Sequence, residues 1–329
     1  GRAGVIVNPN AHDADFAHTS YGSGPFTVSS FTGDTIELAR NERYWQDKPA
    51  LARVTLRYMP SDEALVGGMR DGSLDVALPQ GAQAASELAK IHGVQVSDGI
   101  STRKTLVAFN NAGSSPFSDE QVRQFTRFAI DAAQIARTQP DAKAQLSGPI
   151  SQLQPGYEDL NALFPFDLER AQSMRWYFAA GYFTPFTLLT DKAHHDLAQR
   201  IVDEMAAIPM PVTLEVVDSA TLASRVEAGD YTCALIEMDE PHDYTRFVDG
   251  SAMFGYQNGA AQEQYAKALA QTDFTSYREQ LRAFDRIVSQ DAASAWLYTG
   301  KDVVATRSHV QGLPVDLTSW RLPLAHVRA

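Results

Sequence analysis

The residues best able to do chemistry lie in GDYTCALIEMDEPHDYTRF, positions 229 to 247, where the apolar run Cys233, Ala234, Leu235, Ile236 meets Glu237, Asp239, Glu240 and Asp243. A nearly continuous apolar run marks a strand covered on both faces. In open α/β sheets ligands bind outside the carboxyl ends of the strands, which puts Glu237 and Asp239 at the mouth of a cleft. A carboxylate there can receive an ammonium, a guanidinium or a metal ion; it can equally do no more than solvate a surface loop. By the same logic Leu78, Pro79 and Gln80 end a matching strand earlier in the chain and are expected to face the same cleft.

Other chemistry is sparse. His194 and His195 are adjacent, so on a helix they diverge by about 100° and chelate one metal poorly. His242, among carboxylates, is the better metal candidate. Cys233 is the single cysteine, which excludes an intrachain disulfide and a multi-thiolate metal site, and its apolar surroundings read as a buried small hydrophobe. No G-x-S-x-G, H-E-x-x-H, P-loop or dinucleotide fingerprint occurs in its required context. A net charge of −12 opposes nucleic acid as a partner, because phosphate binding needs clustered Lys and Arg. No apolar run is long enough for a membrane span, and no cofactor is expected.

The elements that would position these residues can be read from periodicity. With 329 residues, 44% of them hydrophobic, the chain can fill more than one lobe. Residues 1 to 24 read as a loop, followed by a hairpin through FTVSSF and DTIELAR around Gly33 and Asp34. VTLRYMP, a helix capped by Ser61, and LDVALP predict a βαβ unit over 54 to 79. VTLEVVD, a short helix and YTCALIEM repeat that order over 212 to 238. Between them stand a strand (103 to 112) and a helix (118 to 137) with a Ser118–Gln121 capping box and a Phe117–Val122 staple. A surface excursion (138 to 166) and a helix from Asp167 to a stop at Gly181 follow, with Trp176, Tyr177 and Phe178 read as core. A strand (TPFTLLTD) and an amphipathic helix (194 to 208) complete the parallel lobe. Two further helices (260 to 271, 274 to 294) precede two short terminal strands around Gly312. Strands near 103 to 110 and 296 to 306 are expected to cross between lobes, an arrangement that makes a hinge. The expected division is lobe I over 1–107 and 299–329, and lobe II over 108–298.

GSGPFTV, LARNERYW, VTLRYMPSDEALVGGMRDGSLDVAL, FNNAGSSPFSDEQVRQFTRFAIDAAQIA and FDLERAQSMRWYFAAGY stand in the order found in extracellular solute-binding proteins of family 5, the peptide and nickel class, and the chain resembles that family from about Gly22 onward. The resemblance implies a two-lobed, hinged α/β fold of the periplasmic-binding-protein type (type II, cluster C-like). It implies a non-enzymatic, exported protein that closes on a small peptide or other cationic solute and delivers it to the permease subunits of an ABC importer. Contact with the membrane would run only through a lipid anchor outside this chain, in the periplasm or at the cell surface. The family's extra N-terminal domain has no counterpart before Gly22, so the chain is expected to be a fragment or a minimal member.

Aligning Glu240-Pro241 and Tyr244 with the family pattern puts Glu237 on the acidic position that receives a ligand's α-ammonium in peptide-binding members. The family often has Asp there with Trp three residues earlier, where this chain has Glu237 and Ala234. An alignment through Asp239-Glu240-Pro241 makes Asp239 the ligand carboxylate instead. Glu240 and Asp243 are then expected to shape or solvate the loop. The strand-end residues Leu235 and Ile236, with Phe109 and Asn110 on the crossing strand, complete the expected ligand contacts together with Leu78, Pro79 and Gln80. Two other classes remain open: a ligand-sensing domain of a transcriptional regulator, and a hydrolase using Glu237, Asp239 and His242.

Overall fold

The computed structural model describes residues 21–179, 182–240, 242–317 and 322–329. The chain forms two compact units, one up to Gly99 and again from Asp302, the other Ile100–Lys301. The expected loop over residues 1 to 20, the stop at Gly181 and the proline of the Glu240-Pro241 pair lie outside the described residues.

In the first unit, β1 (Phe26–Thr32), β2 (Thr35–Arg40) and β3 (Arg53–Arg57) form an antiparallel sheet in that order. The hairpin turns at Gly33, whose φ of 53° falls in the left-handed region that favours glycine. Helix α1 (Asp62–Asp71) starts at Ser61, which accepts from Ala64 N, and stops at Gly72. Strand β4 (Val76–Ala77) follows, then α2 (Ala82–Leu88).

The expected βαβ unit over 54 to 79 does not form. β3 pairs antiparallel with β2, whereas β4 pairs antiparallel with a late strand, Ala77 opposite Ala305. The reason is burial. β3 exposes Arg53, Thr55 and Arg57 and half-buries only Val54 and Leu56, so it suits a sheet covered on one face. α1 instead packs Val66 and Met69 against Ala77, Leu88 and Ala305.

Two long strands, β5 (Val94–Phe109) and β10 (Ser294–Arg307), each contribute to both units. Within the second unit stand α3 (Glu120–Ala129), α4 (Ala132–Thr138), β6 (Ala142–Gln145), α5 (Leu168–Trp176), β7 (Phe186–Asp191), α6 (His195–Ala206), β8 (Val212–Val217), α7 (Ser219–Ala228), β9 (Cys233–Met238), α8 (Gly259–Leu269) and α9 (Phe274–Gln290). The sheet runs β10-β5-β9-β7-β8, with β6 also on β10. β8 and β9 both lie parallel to β7, so the second Val-Thr-Leu segment does build a parallel crossover, and β5 closes antiparallel on β9.

Alternate residues of this sheet feed two cores. Phe109, Leu188, Cys233 and Leu235 pack with Val122 and Phe125 of α3 and Leu197 and Ile201 of α6. Ala108, Leu189, Ala234 and Ile236 pack with Leu222 and Val226 of α7 and Phe284 and Val288 of α9. Fully burying an apolar side chain of this size contributes roughly 1.5 to 3 kcal/mol, so covering the sheet on both faces stabilises the unit through both cores.

Several local expectations change. The single helix over 118 to 137 is two helices, capped by Asp119 (accepting from Gln121 N) and by Asp131 (accepting from Gln134 N), with Ser118 in a 3-10 turn before the first. The excursion over 138 to 166 is not a surface feature: β6 joins the sheet, and Leu146, Ser147, Gly148, Ile150 and Ser151 are buried. A Cβ at Gly148 would lie 2.5 Å from the side chains of Asp285 and Ser289, so the segment runs against α9 with room only for glycine. Trp176 and Tyr177 are 88% and 87% exposed rather than core, because α5 buries the face carrying Ala171 and Arg175 and ends at Trp176. The two short strands around Gly312 are one long strand, β10, plus an isolated bridge between Gln311 and Arg328.

Candidate functional site

The carboxyl end of β9 is set by its register on β5, where Thr105 lies opposite Glu237 and Lys104 opposite Met238. Three consecutive β5 residues each meet one carboxylate of the acidic segment. Thr102 Oγ1 donates to Asp239 Oδ1 at 3.1 Å. Arg103 Nε lies 3.5 Å from Glu237 Oε1. Lys104 Nζ pairs with Asp243 Oδ1 and also donates to Gln154 Oε1 at 3.2 Å. Side chains alternate along a strand, so Lys104 and Arg103 serve opposite faces.

On the Lys104 face the pair is sealed, with side chains 2% and 3% exposed. Burial pushes the Asp243 carboxyl above its ordinary value even though Lys104 opposes it. Of the two roles expected for Asp243, shaping or solvating the loop, the buried pair supports the first: Asp243 anchors the start of the 3-10 turn Asp243–Phe247.

The Arg103 face is open. Glu237 keeps 31% of its side chain exposed, and His194 Nε2 stands 3.8 Å from its Oε1. His194 Nδ1 contacts Asp191 Oδ1 at 2.7 Å, and Asp191 Oδ2 accepts from Ser219 Oγ at 3.0 Å. Burial works to raise the Glu237 carboxyl, but His194 and Arg103 outweigh it and hold it below the usual carboxylate range. The Glu237 carboxylate, helped by Asp191 and against the effect of burial, pushes the His194 ring up to about 9. At neutral pH the cluster thus holds two anions and two cations.

The carboxyl ends of the three parallel strands supply this cluster: Asp191 ends β7, Ser219 follows β8 and Glu237 lies near the end of β9. An open hollow of about 690 Å³ borders it, lined by Lys192, Ala193, Val216, Val217, Asp218 and Ser219.

Within the second unit, the expected contacts Leu235, Ile236, Phe109 and Asn110 are not brought to this cluster. Leu235, Ile236 and Phe109 are 0%, 5% and 0% exposed inside the two cores. Phe109 pairs with Cys233, at the amino end of β9, and Asn110 donates there to Gly229 O and Tyr231 O at 3.0 and 2.9 Å. Antiparallel pairing therefore puts Phe109 and Asn110 roughly 13 Å of strand away from Glu237. Leu78, Pro79 and Gln80 belong to the first unit, where Leu78 is exposed, Pro79 is buried, and the Gln80 and Gly81 amides donate to Asp62 at 3.1 and 2.7 Å. His242 spends Nδ1 on Tyr244 Oη at 2.6 Å, and burial lowers its ring from the ordinary value. Among the described residues no group of three or more His, Cys, Asp or Glu side chains is arranged to hold a metal ion.

The model for bacterial extracellular solute-binding proteins, family 5 Middle, matches residues 3–244. The chain belongs to this family. It is 24% identical over 332 residues to the probable D,D-dipeptide-binding periplasmic protein DdpA of Escherichia coli, an alignment covering 93% of this chain and 64% of DdpA. Among solved structures, the ABC transporter substrate-binding protein CtaP of Listeria monocytogenes superposes with a TM-score of 0.80 at 18% identity, over 96% of this chain and 68% of CtaP. The periplasmic binding protein DppA of Helicobacter pylori, solved with the peptide STSA, gives 0.70 at 20% identity over 93% of this chain and 63% of DppA. The fold is therefore the two-lobed α/β fold of the periplasmic binding proteins, as the resemblance implied.

Sequence reasoning missed Arg103 and His194 as partners of Glu237. The available signal was charge inside an apolar strand, since Arg103 and Lys104 precede TLVAF and need acids wherever that strand pairs. For His194 the signal was its place before a helix, three residues after Asp191, which fits an ion pair across the turn.

Proposed function

We propose that this protein is the substrate-binding component of an ABC importer. It works outside the cytoplasm with the importer's permease subunits and captures a small peptide or related amine-bearing solute. Lobe closure, the hinge motion general to two-lobed binding proteins, completes capture. The observation that carries this reading is Glu237: an ionised, one-third exposed carboxylate at the carboxyl end of a parallel strand, in a chain of the solute-binding family. Its role is to receive the ligand's ammonium, with Asp239 as the alternative carboxylate. Capture rather than catalysis fits the surroundings. The His242 ring is bound to Tyr244, and the carboxylates already hold cations or hydroxyls of their own chain.

Calorimetry with di- and tripeptides and their N-acetylated forms tests the proposal. Free peptides are expected to bind, acetylated ones to lose affinity, and Glu237→Gln to weaken binding by roughly 1.5 to 3 kcal/mol, the range for a hydrogen bond to a charged group. Unchanged affinity in Glu237→Gln transfers the role to Asp239. Turnover of the peptides on incubation would favour a hydrolase.

A further inference from the structure

Glu237 is not an empty trap for cations. Arg103 lies against it in a seat the chain has built for a guanidinium. A Cβ at Gly300, in the middle of β10, would stand 2.6 Å from Arg103 Nε and 2.8 Å from Nη2, so the group lies against the strand backbone in space that only glycine leaves. Arg103 Nη2 donates to Lys301 O at 3.4 Å. Arg103 Nε is buried without a hydrogen bond and faces Glu237 Oε1 from 3.5 Å. A donor held just past bonding distance from a carboxylate neutralises it without saturating it.

Resting on the reading that Glu237 receives the ligand's amine, we propose that Arg103 is a specificity-determining residue: it stands against Glu237 as a resident competitor, so that a lone ammonium is held less tightly than Glu237 alone would hold it and the ligand's other contacts decide which amines are captured. At similar separations the attraction of an incoming ammonium to Glu237 and its repulsion by Arg103 are of the same order, and His194, 3.8 Å from the same Oε1, adds to the repulsion. Selectivity is then set by a repulsive element built beside the attractive one.

The probe is alanyl-alanine amide, a single cation at pH 7, titrated by calorimetry at fixed ionic strength into the wild type, Arg103→Gln, Arg103→Lys and Glu237→Gln. Arg103→Gln is expected to bind about ten-fold tighter than wild type, and Arg103→Lys to stay near wild type because the charge is kept. Glu237→Gln is expected to bind more weakly. Equal or weaker binding in Arg103→Gln, with Glu237→Gln still impaired, overturns the role of Arg103. No change in Glu237→Gln overturns instead the reading of Glu237 as the amine site. The wild type gives a second readout that needs no variant to fold: saturating probe is expected to shift the Arg103 Nε resonance in ¹⁵N spectra. A resonance that does not move overturns the proposal.

Discussion

Arg103 and Lys104 are neighbours on one strand, each matched to a carboxylate from the same acidic segment, and they differ in the face they serve. Lys104 and Asp243 are sealed, at 2% and 3% exposure; Arg103 and Glu237 stay partly in water, at 24% and 31%. The sealed pair has lost its hydration and must keep its geometry, because either charge left alone inside is costly. The open pair stabilises less, since both side chains keep part of their surface in water and solvent screens their attraction. The chemistry is shared, and solvent access separates the pair that is a structural clamp from the pair proposed to bind ligand.

The largest test of this contrast is Lys104→Ala. It is expected to cost about 3 to 5 kcal/mol in urea unfolding, by leaving Asp243 buried without a partner. Next in size is the pH response of the open face. The His194 ring is raised from its ordinary 6.5 to about 9, so its protonated form is favoured by folding. Its contribution is complete below pH 6.5 and is lost as pH rises through 9. Glu237 and Asp191 are depressed, so theirs is present above the ordinary carboxylate range and is lost in acid. Unfolding free energy is expected to fall by roughly 1 to 3 kcal/mol between pH 6.5 and 9.5, a slope that His194→Gln should remove. A flat profile in the wild type would break the assignment.

Smaller effects sharpen the same comparison. Arg103→Ala is expected to change stability by less than about 1 kcal/mol while changing ligand affinity. A cost equal to that of Lys104→Ala would erase the distinction between the faces. The double change Lys104→Met with Asp243→Leu should recover stability to within roughly 1 kcal/mol of wild type, because a well-packed apolar pair carries no desolvation cost. Recovery failing in thermal unfolding would show that directional contacts, Gln154 included, hold the segment in a way that packing cannot replace.

The two Val-Thr-Leu segments show how far local pattern reaches. Both precede a helix and a short strand, yet only the second builds a crossover. Cys233 to Ile236 is apolar on both faces and demands a covered parallel strand, whereas Val54 to Arg57 alternates with exposed polar residues and is satisfied by a hairpin sheet. Caps that act within four residues, Ser61 and Asp167, were legible. The buried course of Leu146 to Ser151 was not, because its partners on α9 lie more than a hundred residues along the chain.

The sequence by itself determined that an apolar, doubly covered strand runs into Glu237 and Asp239, because strand burial and the charge that ends it are local facts written in residue order. It also carried the family resemblance. Only the tertiary structure decided that Asp243 is clamped inside by Lys104, that Glu237 is shared with Arg103 and His194, and that Phe109 and Asn110 lie at the other end of the strand. Each of those outcomes follows from the antiparallel register of β5 on β9 and the alternation of faces along it, and register between distant strands is fixed by packing, which no single segment encodes.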